Sequence, residues 1–225
     1  MGEMIGFSGG PDDYEGYLAV SANGNGPGII VLQEYWGLVP HIKDLCDRFA
    51  SEGFTALAPD LYRGDTTKDP SEAATLMQAL NIAETEQILR KAILTLLARP
   101  ETSSERVGVV GFCMGGQLAL FAASANPVVS ACADFYGIHP KVQPSYRDLN
   151  GPVLGIFAEW DNYASQSVVQ ALDQELTLLG KAHEFHTYPG TDHAFFNDTR
   201  PEVYDPVASA DAWKRVLAFF RANVS

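Results

Sequence analysis

The sequence is short of basic residues, and this shortage excludes some classes of partner. Of its 225 residues, 15 are Lys or Arg and 28 are Asp or Glu, so the formal net charge is −13. A protein this acidic repels nucleic acid and anionic membrane surfaces, and we expect neither as a partner. An anionic small molecule would need a local group of cations, because the charge of the whole protein opposes its approach.

Cysteine and long apolar runs are also scarce. The three cysteines, Cys46, Cys113 and Cys132, form no C-x-x-C pair, which argues against a disulfide framework and against a zinc site. No apolar run approaches the ~20 residues that span a bilayer, and no basic-then-apolar signal sequence opens the chain. We therefore expect a cytoplasmic protein with reduced thiols and no metal.

Short apolar runs alternate with helical periodicity along most of the chain. Strands are predicted at 15–20, 28–33, 54–58, 107–112, 128–135, 153–158 and 183–188. Helices are predicted at 40–52, 71–80, 82–98, 114–125, 164–179 and 207–223, the second of them capped by Ser71. This alternation predicts an α/β fold, a mostly parallel sheet of about 7–8 strands with helices on both faces. One domain spans 1–225, and 1–13 forms an irregular arm or the start of a hairpin.

The most informative stretch is 107–116, which reads Val-Gly-Val-Val-Gly-Phe-Cys-Met-Gly-Gly. An apolar strand, a sharp turn and a helix in this order are typical of a nucleophile elbow, here G-x-C-x-G with Cys113 in the usual serine position. Glycines beside the nucleophile let the strand and helix approach closely. The alternative is a small buried residue without chemistry, which is our interpretation of Cys46 and Cys132.

Polar residues follow several of the predicted strands, where sites form in parallel sheets. A nucleophile, an acid and a histidine occur in the order of the α/β-hydrolases: Cys113, Asp161 and His193. The histidine can take the proton of the thiol, and the aspartate can orient the imidazole. Asp134 and Asp192 compete for the acid position. We prefer Asp161 because it comes after a buried strand and before a helix.

Other candidates surround this triad. The oxyanion would be met by backbone N–H groups of Met114 and Tyr35. Glu34 closes a buried strand and is costly there unless paired, so it either forms a salt bridge with Arg63 or controls the protonation of the thiol. His139 either lines the pocket or is structural. Three further histidines are interpreted as surface or structural residues, with His41 on the surface of its helix: His41, His183 and His186.

Several segments in the right order resemble the dienelactone hydrolase (carboxymethylenebutenolidase) family of α/β-hydrolases over almost the whole chain. They are Q-E-Y-W-G-L at 33–38, A-P-D-L-Y-R at 58–63, G-F-C-M-G-G at 111–116, Asp161, the histidine loop at 190–196 and D-A-W at 211–213. The resemblance implies a Cys113–His193–Asp161 triad without a cofactor, joined by Glu34 as a fourth member. In the family the thiol is thought to rest neutral near this glutamate until substrate moves the carboxylate.

The resemblance also implies a substrate, a small ester or lactone bearing a carboxylate, such as an enol-lactone that opens to a keto acid. The family prototype holds the carboxylate with two arginines. Here Arg63 lies one place earlier than the first, Asn197 stands at the place of the second, and Arg200 is the candidate substitute. Further substrate-binding candidates are Tyr62, Trp36 and Tyr136. We expect a monomer. The rival hypotheses are a thiol redox sensor and a non-catalytic ligand-binding module.

Overall fold

The structure, a computed structural model, describes residues 1–8 and 13–224. The eight strands of its sheet are β1 Glu3–Ser8, β2 Asp13–Ala19, β3 Gly26–Leu32, β4 Thr55–Pro59, β5 Thr102–Phe112, β6 Val129–Phe135, β7 Val153–Ala158 and β8 His183–Tyr188. Their order is β1-β2-β4-β3-β5-β6-β7-β8. Strands β3 to β8 are parallel, while β2 pairs antiparallel with β1 and β4. The predicted fold class is confirmed.

The N-terminal segment pairs as a strand. The sequence left a choice between an irregular arm and the start of a hairpin, and β1 pairs with β2 over six residue pairs, from Glu3 with Leu18 to Ser8 with Asp13. Residues 9–12, which belong to the same predicted segment, lie outside the described residues.

Six α-helices and one short 3₁₀ helix, Tyr146–Asp148, accompany the strands in the described part of the chain. The α-helices are α1 Pro40–Ser51, α2 Pro70–Ala79, α3 Ile82–Leu97, α4 Met114–Ala125, α5 Gln166–Leu178 and α6 Pro206–Asn223. The cap predicted for α2 at Ser71 is wrong. Asp69 is the cap, and its carboxylate accepts the backbone N–H groups of Ser71 and Glu72. Pro70 begins the helix because its fixed φ suits the first helical position.

Helices cover both faces of the sheet. The four residues 29–32 of β3 are fully buried in succession, although successive side chains point to opposite faces. A Cβ added at Gly28 would lie 3.2 Å from Leu96 of α3, whereas one at Gly108 would lie 2.7 Å from Phe220 of α6. Gly108 pairs with Ile29, the neighbour of Gly28, so α3 and α6 lie on opposite faces.

Helix α1 packs beside α6 through aromatic side chains. The rings of Phe49 and Trp213 lie 4.6 Å apart between centroids. His41, expected on the surface of this helix, is buried instead at 3% exposure. The helical periodicity predicted the apolar stripe of α1. It could not show that Asp198, on the loop after β8, lies against His41. Among the described residues, no helix has both the length and the apolar character needed to cross a membrane.

Candidate active site

Cys113 occupies a strained turn between β5 and α4. Its φ is 55° and its ψ is −120°, in a region that residues with a Cβ rarely adopt. The surrounding backbone holds it there. Its N–H donates to the carbonyl of Phe135 at 3.0 Å, and its carbonyl accepts from Gly116 at 2.9 Å and Ile138 at 3.1 Å. A strained conformation with this many constraints suggests a functional position.

Glycine permits the close approach of strand and helix at this turn. A Cβ at Gly111 would lie 1.8 Å from the carbonyl oxygen of Gly115, and one at Gly115 would lie 2.5 Å from the carbonyl oxygen of Leu32. Both distances are far below any normal contact, so a side chain at either position would push α4 away from the sheet. The glycines expected from the sequence motif therefore have a steric reason.

His193 is oriented by a buried carboxylate. Its Nδ1 lies 2.6 Å from Oδ2 of Asp161, whose side chain is fully buried. The other oxygen, Oδ1, accepts the backbone N–H groups of Tyr163 at 2.7 Å and Ala164 at 2.9 Å. With both oxygens bound, the carboxylate cannot rotate freely, and Nε2 of His193 is left for other partners.

The protonation of His193 depends on its neighbours. Burial opposes the imidazolium, but the negative charge of Cys113 and the hydrogen bonds to Asp161 and Cys113 outweigh burial and raise the pKa of His193 to about 10. A negative charge at Cys113 and the carboxylate of Asp161 therefore both favour the imidazolium form of His193.

A cavity of about 520 Å³ opens above these residues, and we call it the catalytic cavity. Six of the residues predicted from the sequence line it: Glu34, Tyr35, Trp36, Cys113, His193 and Arg200. Met114, a seventh predicted residue, begins α4 directly after Cys113. Its remaining walls are largely apolar, with Met77, Ile138 and Val203 among them. Trp160 and Tyr163 also line it and are mostly exposed, at 59% and 66%.

The exposed aromatic pair was not anticipated from the sequence. The rings of Tyr163 and His193 lie 5.1 Å apart between centroids, so Tyr163 sits directly beside the imidazole. The available signal was its position two residues after Asp161, on the same loop.

Glu34 has a different partner from the one considered. The carboxylate is 1% exposed, and its Oε2 accepts a hydrogen bond from Nδ2 of Asn197 at 2.7 Å. The alternative of a salt bridge with Arg63 is wrong, because Arg63 binds Glu84 at 2.8 Å instead. Asn197 is itself buried, and from the sequence it was noted only as the place where the resembling family has an arginine.

Three predicted substrate-binding residues do not line the catalytic cavity. Arg63 and Tyr62 border a separate cavity of about 180 Å³, and the Tyr62 hydroxyl donates to the sulfur of Met114 at 3.2 Å. Tyr136 is fully buried, with its ring 5.0 Å from that of His193 between centroids. Burial first, then the charges of Glu34 and Cys113, raise the pKa of Tyr136 well above its usual value.

Arg200 and His139, two further candidates for the pocket wall, border different cavities. Arg200 lines the catalytic cavity, donates from Nε to Glu202 at 2.8 Å and lies over the Trp36 ring at 5.8 Å from its centroid. His139 borders another cavity, on the far side of Ile138. Within 1–8 and 13–224, no group of three or more His, Cys, Asp or Glu side chains could hold a metal ion.

The eight-strand order with a thiol after β5, an acid after β7 and a histidine after β8 defines the α/β-hydrolase fold. The model of the dienelactone hydrolase family matches residues 14–224, and the chain belongs to that family. It is thus a carboxymethylenebutenolidase-like hydrolase, in line with carboxylic ester hydrolysis.

Individual relatives agree with this assignment. The chain is 35% identical to Protein usf of Aquifex pyrophilus and 32% identical to an Aquifex aeolicus protein assigned as a carboxymethylenebutenolidase, each over 98% of both chains. A Klebsiella pneumoniae crystal structure assigned as a dienelactone hydrolase is similar with a TM-score of 0.82 and 32% identity, over 98% of both chains.

Proposed function

We propose that this protein hydrolyses small esters or lactones through a thioester on Cys113. The observation that carries the proposal is a thiol on a positive-φ turn, in the same cavity as an imidazole bound to a buried carboxylate. Packing alone does not account for such backbone strain at the start of a helix. A cysteine with a neighbouring base can act as a nucleophile.

The proposed reaction has two stages, the formation of a thioester and its hydrolysis. His193 takes the proton of the Cys113 thiol at Nε2, because Nδ1 is bound to Asp161. The thiolate attacks the carbonyl carbon, and the oxyanion then expels the alcohol or enol oxygen, which takes the proton from His193. Water then attacks the thioester with His193 as its base. The acid is released and the thiol is restored.

The oxyanion would be stabilised by the backbone N–H groups of Met114 and Tyr35. Met114 is the first residue of α4, and its N–H lacks an intrahelical partner, as at every helix start. No side chain caps this helix and no acidic residue occupies its first turn, so its positive end is available to an anion.

Glu34 is proposed to gate the thiol. It lies in the wall of the catalytic cavity, buried, with a neutral amide as its hydrogen-bond partner. A buried carboxylate with a neutral partner stays free to influence a nearby thiol–imidazole pair. We expect Glu34→Gln to shift the pH profile of Cys113 alkylation by iodoacetamide. Identical profiles in the two proteins would leave Glu34 a structural role only.

The substrate class follows from the walls of the cavity. Apolar side chains and the exposed Trp160 and Tyr163 favour an apolar or aromatic group, and Arg200 favours a carboxylate. Since Arg63 lies at a separate cavity, bound to Glu84, the two-arginine arrangement implied by the resemblance is not available without its movement. We therefore propose esters and enol-lactones with an apolar part and one carboxylate.

The decisive test is a panel of dienelactones and aryl esters assayed with wild type, Cys113→Ala and Cys113→Ser. We expect Cys113→Ala to abolish turnover, and mass spectrometry of wild type to show a thioester on the peptide containing residue 113. Cys132→Ala is the matched control, since it removes a buried thiol from the neighbouring strand β6. Full turnover in Cys113→Ala would refute the proposal, while tight ligand binding without acylation would favour a non-catalytic module.

A further inference from the structure

A second cavity, of about 500 Å³, adjoins the catalytic cavity, and we call it the outer cavity. The two share Trp36, Pro70 and Arg200 in their walls. Asn197 lines the outer cavity and donates its side-chain amide to Glu34, which lines the catalytic cavity. A ligand longer than the catalytic cavity could therefore extend over Trp36 into the outer cavity.

The start of helix α1 forms one wall of the outer cavity. Val39, Pro40 and His41 line it, and Val39 is the N-cap of a 12-residue helix. This helix has no side-chain cap and no acidic residue in its first turn. Val39 donates its N–H to Gly37, Pro40 has no N–H and Ile42 donates back to Val39. The positive dipole end, rather than a set of free N–H groups, therefore favours an anion here.

A buried histidine in the same wall points independently to a ligand. The His41 side chain is 2% exposed, and its Nε2 has no hydrogen-bond partner among the residues that the structure describes. Its Nδ1 lies 3.2 Å from Oδ1 of Asp198 but makes no hydrogen bond with it. A buried polar group without a partner is costly, and an anionic ligand would accept a hydrogen bond from Nε2 when that nitrogen carries the proton.

Two cations complete the outer cavity. Lys68 is exposed and lines it, and Arg200 lines both cavities. Arg200 uses Nε for Glu202, which leaves further guanidinium donors. Glu202 lines the outer cavity and is paired with Arg200 at 2.8 Å, Asp198 beside His41 is paired with Arg48 at 3.6 Å, and Glu72 accepts a hydrogen bond from Thr67 in the cavity wall.

We propose that the outer cavity binds a second anionic group, a carboxylate or a phosphate, at the far end of a substrate whose ester lies at Cys113. This proposal rests on the proposed ester hydrolysis and names its substrate class. A net charge of −13 repels anions in general, so specific recognition needs a local site of this kind.

The test compares esters that differ only at the far end. Half-esters of 4-nitrophenol with the dicarboxylic acids of six to nine carbons are assayed beside their methyl-capped analogues, and a phosphate-tipped ester of matched length is the third arm. The measured quantity is the ratio of kcat/KM for the anionic and the neutral ester, corrected for the rate without enzyme. We expect this ratio to exceed one at the chain length that reaches the outer cavity, and to fall as salt is added.

Lys68 variants locate the effect. Lys68→Gln is expected to lower the ratio about threefold and Lys68→Glu about tenfold, while Lys68→Arg retains it. Lys214 is an exposed lysine of α6 outside both cavities, so Lys214→Gln and Lys214→Glu are controls with the same change of net charge. Both control variants should keep the wild-type ratio.

The outcomes separate this proposal from the proposed hydrolysis. A ratio near one at every chain length, or an equal fall of the ratio in the Lys68 and Lys214 variants, refutes anion binding in the outer cavity. The proposed ester hydrolysis is unaffected by either result. If wild type hydrolyses no ester, the hydrolysis fails. Calorimetric titration of Cys113→Ala with the same anionic and neutral esters then decides the outer site. Equal affinity for both would overturn it, and tighter anion binding that Lys68→Glu removes would support it. The preferred tip, carboxylate or phosphate, identifies the anion.

Discussion

Two aspartates at the carboxyl edge of the sheet, Asp161 and Asp134, are both buried, yet their surroundings differ. Asp161 follows β7 and accepts three hydrogen bonds, from His193 and from two backbone N–H groups. Asp134 lies near the end of β6, and its Oδ1 has no hydrogen-bond partner among the described residues. Burial outweighs a backbone hydrogen bond from Gly137 and raises the pKa of Asp134 to about 7. Hydrogen-bond partners therefore distinguish the two carboxylates more clearly than burial does.

The position of Asp134 indicates a structural role. A Cβ added at Gly116 would lie 2.2 Å from its Oδ1, and one at Gly137 would lie 2.3 Å from the same atom. Asp134 thus lies against the first turn of α4, the helix that begins after Cys113. Two aspartates at one edge of the sheet would then do different work, one orienting an imidazole and the other supporting the turn.

The largest expected difference between the aspartates is in activity. Asp161→Asn should lower kcat/KM for aryl esters by about 10³- to 10⁴-fold, because an amide cannot hold the imidazole in the tautomer that leaves Nε2 free to accept a proton. Steady-state kinetics on purified, folded variant protein provide the measurement.

Asp134→Asn is the matched control, with the same change of charge and shape one strand away. It should retain kcat/KM within about tenfold at pH 7, because Asp134 does not line the catalytic cavity. Equal losses in both variants would mean that the two carboxylates cannot be separated in function.

The next effect is on stability, and here Asp134 should dominate. Its pKa is raised from 3.8 to about 7 on folding, so the folded protein binds a proton that the unfolded chain has lost between these values. Stability contributed by this group is complete below about pH 4 and is lost as pH rises to about 7. Asp134→Asn should therefore be more stable than wild type at pH 8, by about 2–4 kcal/mol, and similar at pH 4.

Urea unfolding at both pH values measures this difference. A gap between wild type and Asp134→Asn that is the same at pH 4 and pH 8 would contradict the raised pKa. Asp161→Asn is the comparison protein, and it should not show this gain at pH 8, because it loses hydrogen bonds that a buried carboxylate makes.

The smallest effect concerns the protonation of His193. Its pKa is raised to about 10 against burial, by Cys113 and by the hydrogen bond to Asp161. Asp161→Asn should lower the pKa of His193, and the pH profile of Cys113 alkylation should move with it. Nitrogen NMR of the labelled imidazole measures this pKa directly. Asp134→Asn is the control and should leave the pKa of His193 unchanged. If Asp161→Asn also leaves this pKa unchanged, Asp161 is not the group that stabilises the imidazolium.

Much of the fold and of the catalytic cavity was predictable from local signals. Apolar runs alternating with helical periodicity predicted the parallel sheet, and the strand–turn–helix pattern around Cys113 predicted the elbow. The preference for Asp161 over Asp134 used only its position after a buried strand, and the structure places Asp161 against His193 at 2.6 Å.

Other features depended on contacts between distant segments. His41 was expected on the surface, but Asp198, 157 positions later in the chain, lies against it. The partner of Glu34 is Asn197, at a separation of 163 residues, where the sequence offered Arg63. Arg63 instead binds Glu84 at the start of α3. No periodicity or spacing encodes pairings of this range, because they depend on how loops from different strands meet.

The sequence by itself determined the class of fold and the position of the thiol on its turn, because glycine spacing and apolar periodicity act within a few residues. Only the tertiary structure decided which carboxylate has partners, what binds Glu34, and that an uncapped helix, a buried histidine and two cations enclose a second cavity. Those properties arise where the carboxyl ends of separate strands converge, and the electrostatics of a buried group depend on every segment around it.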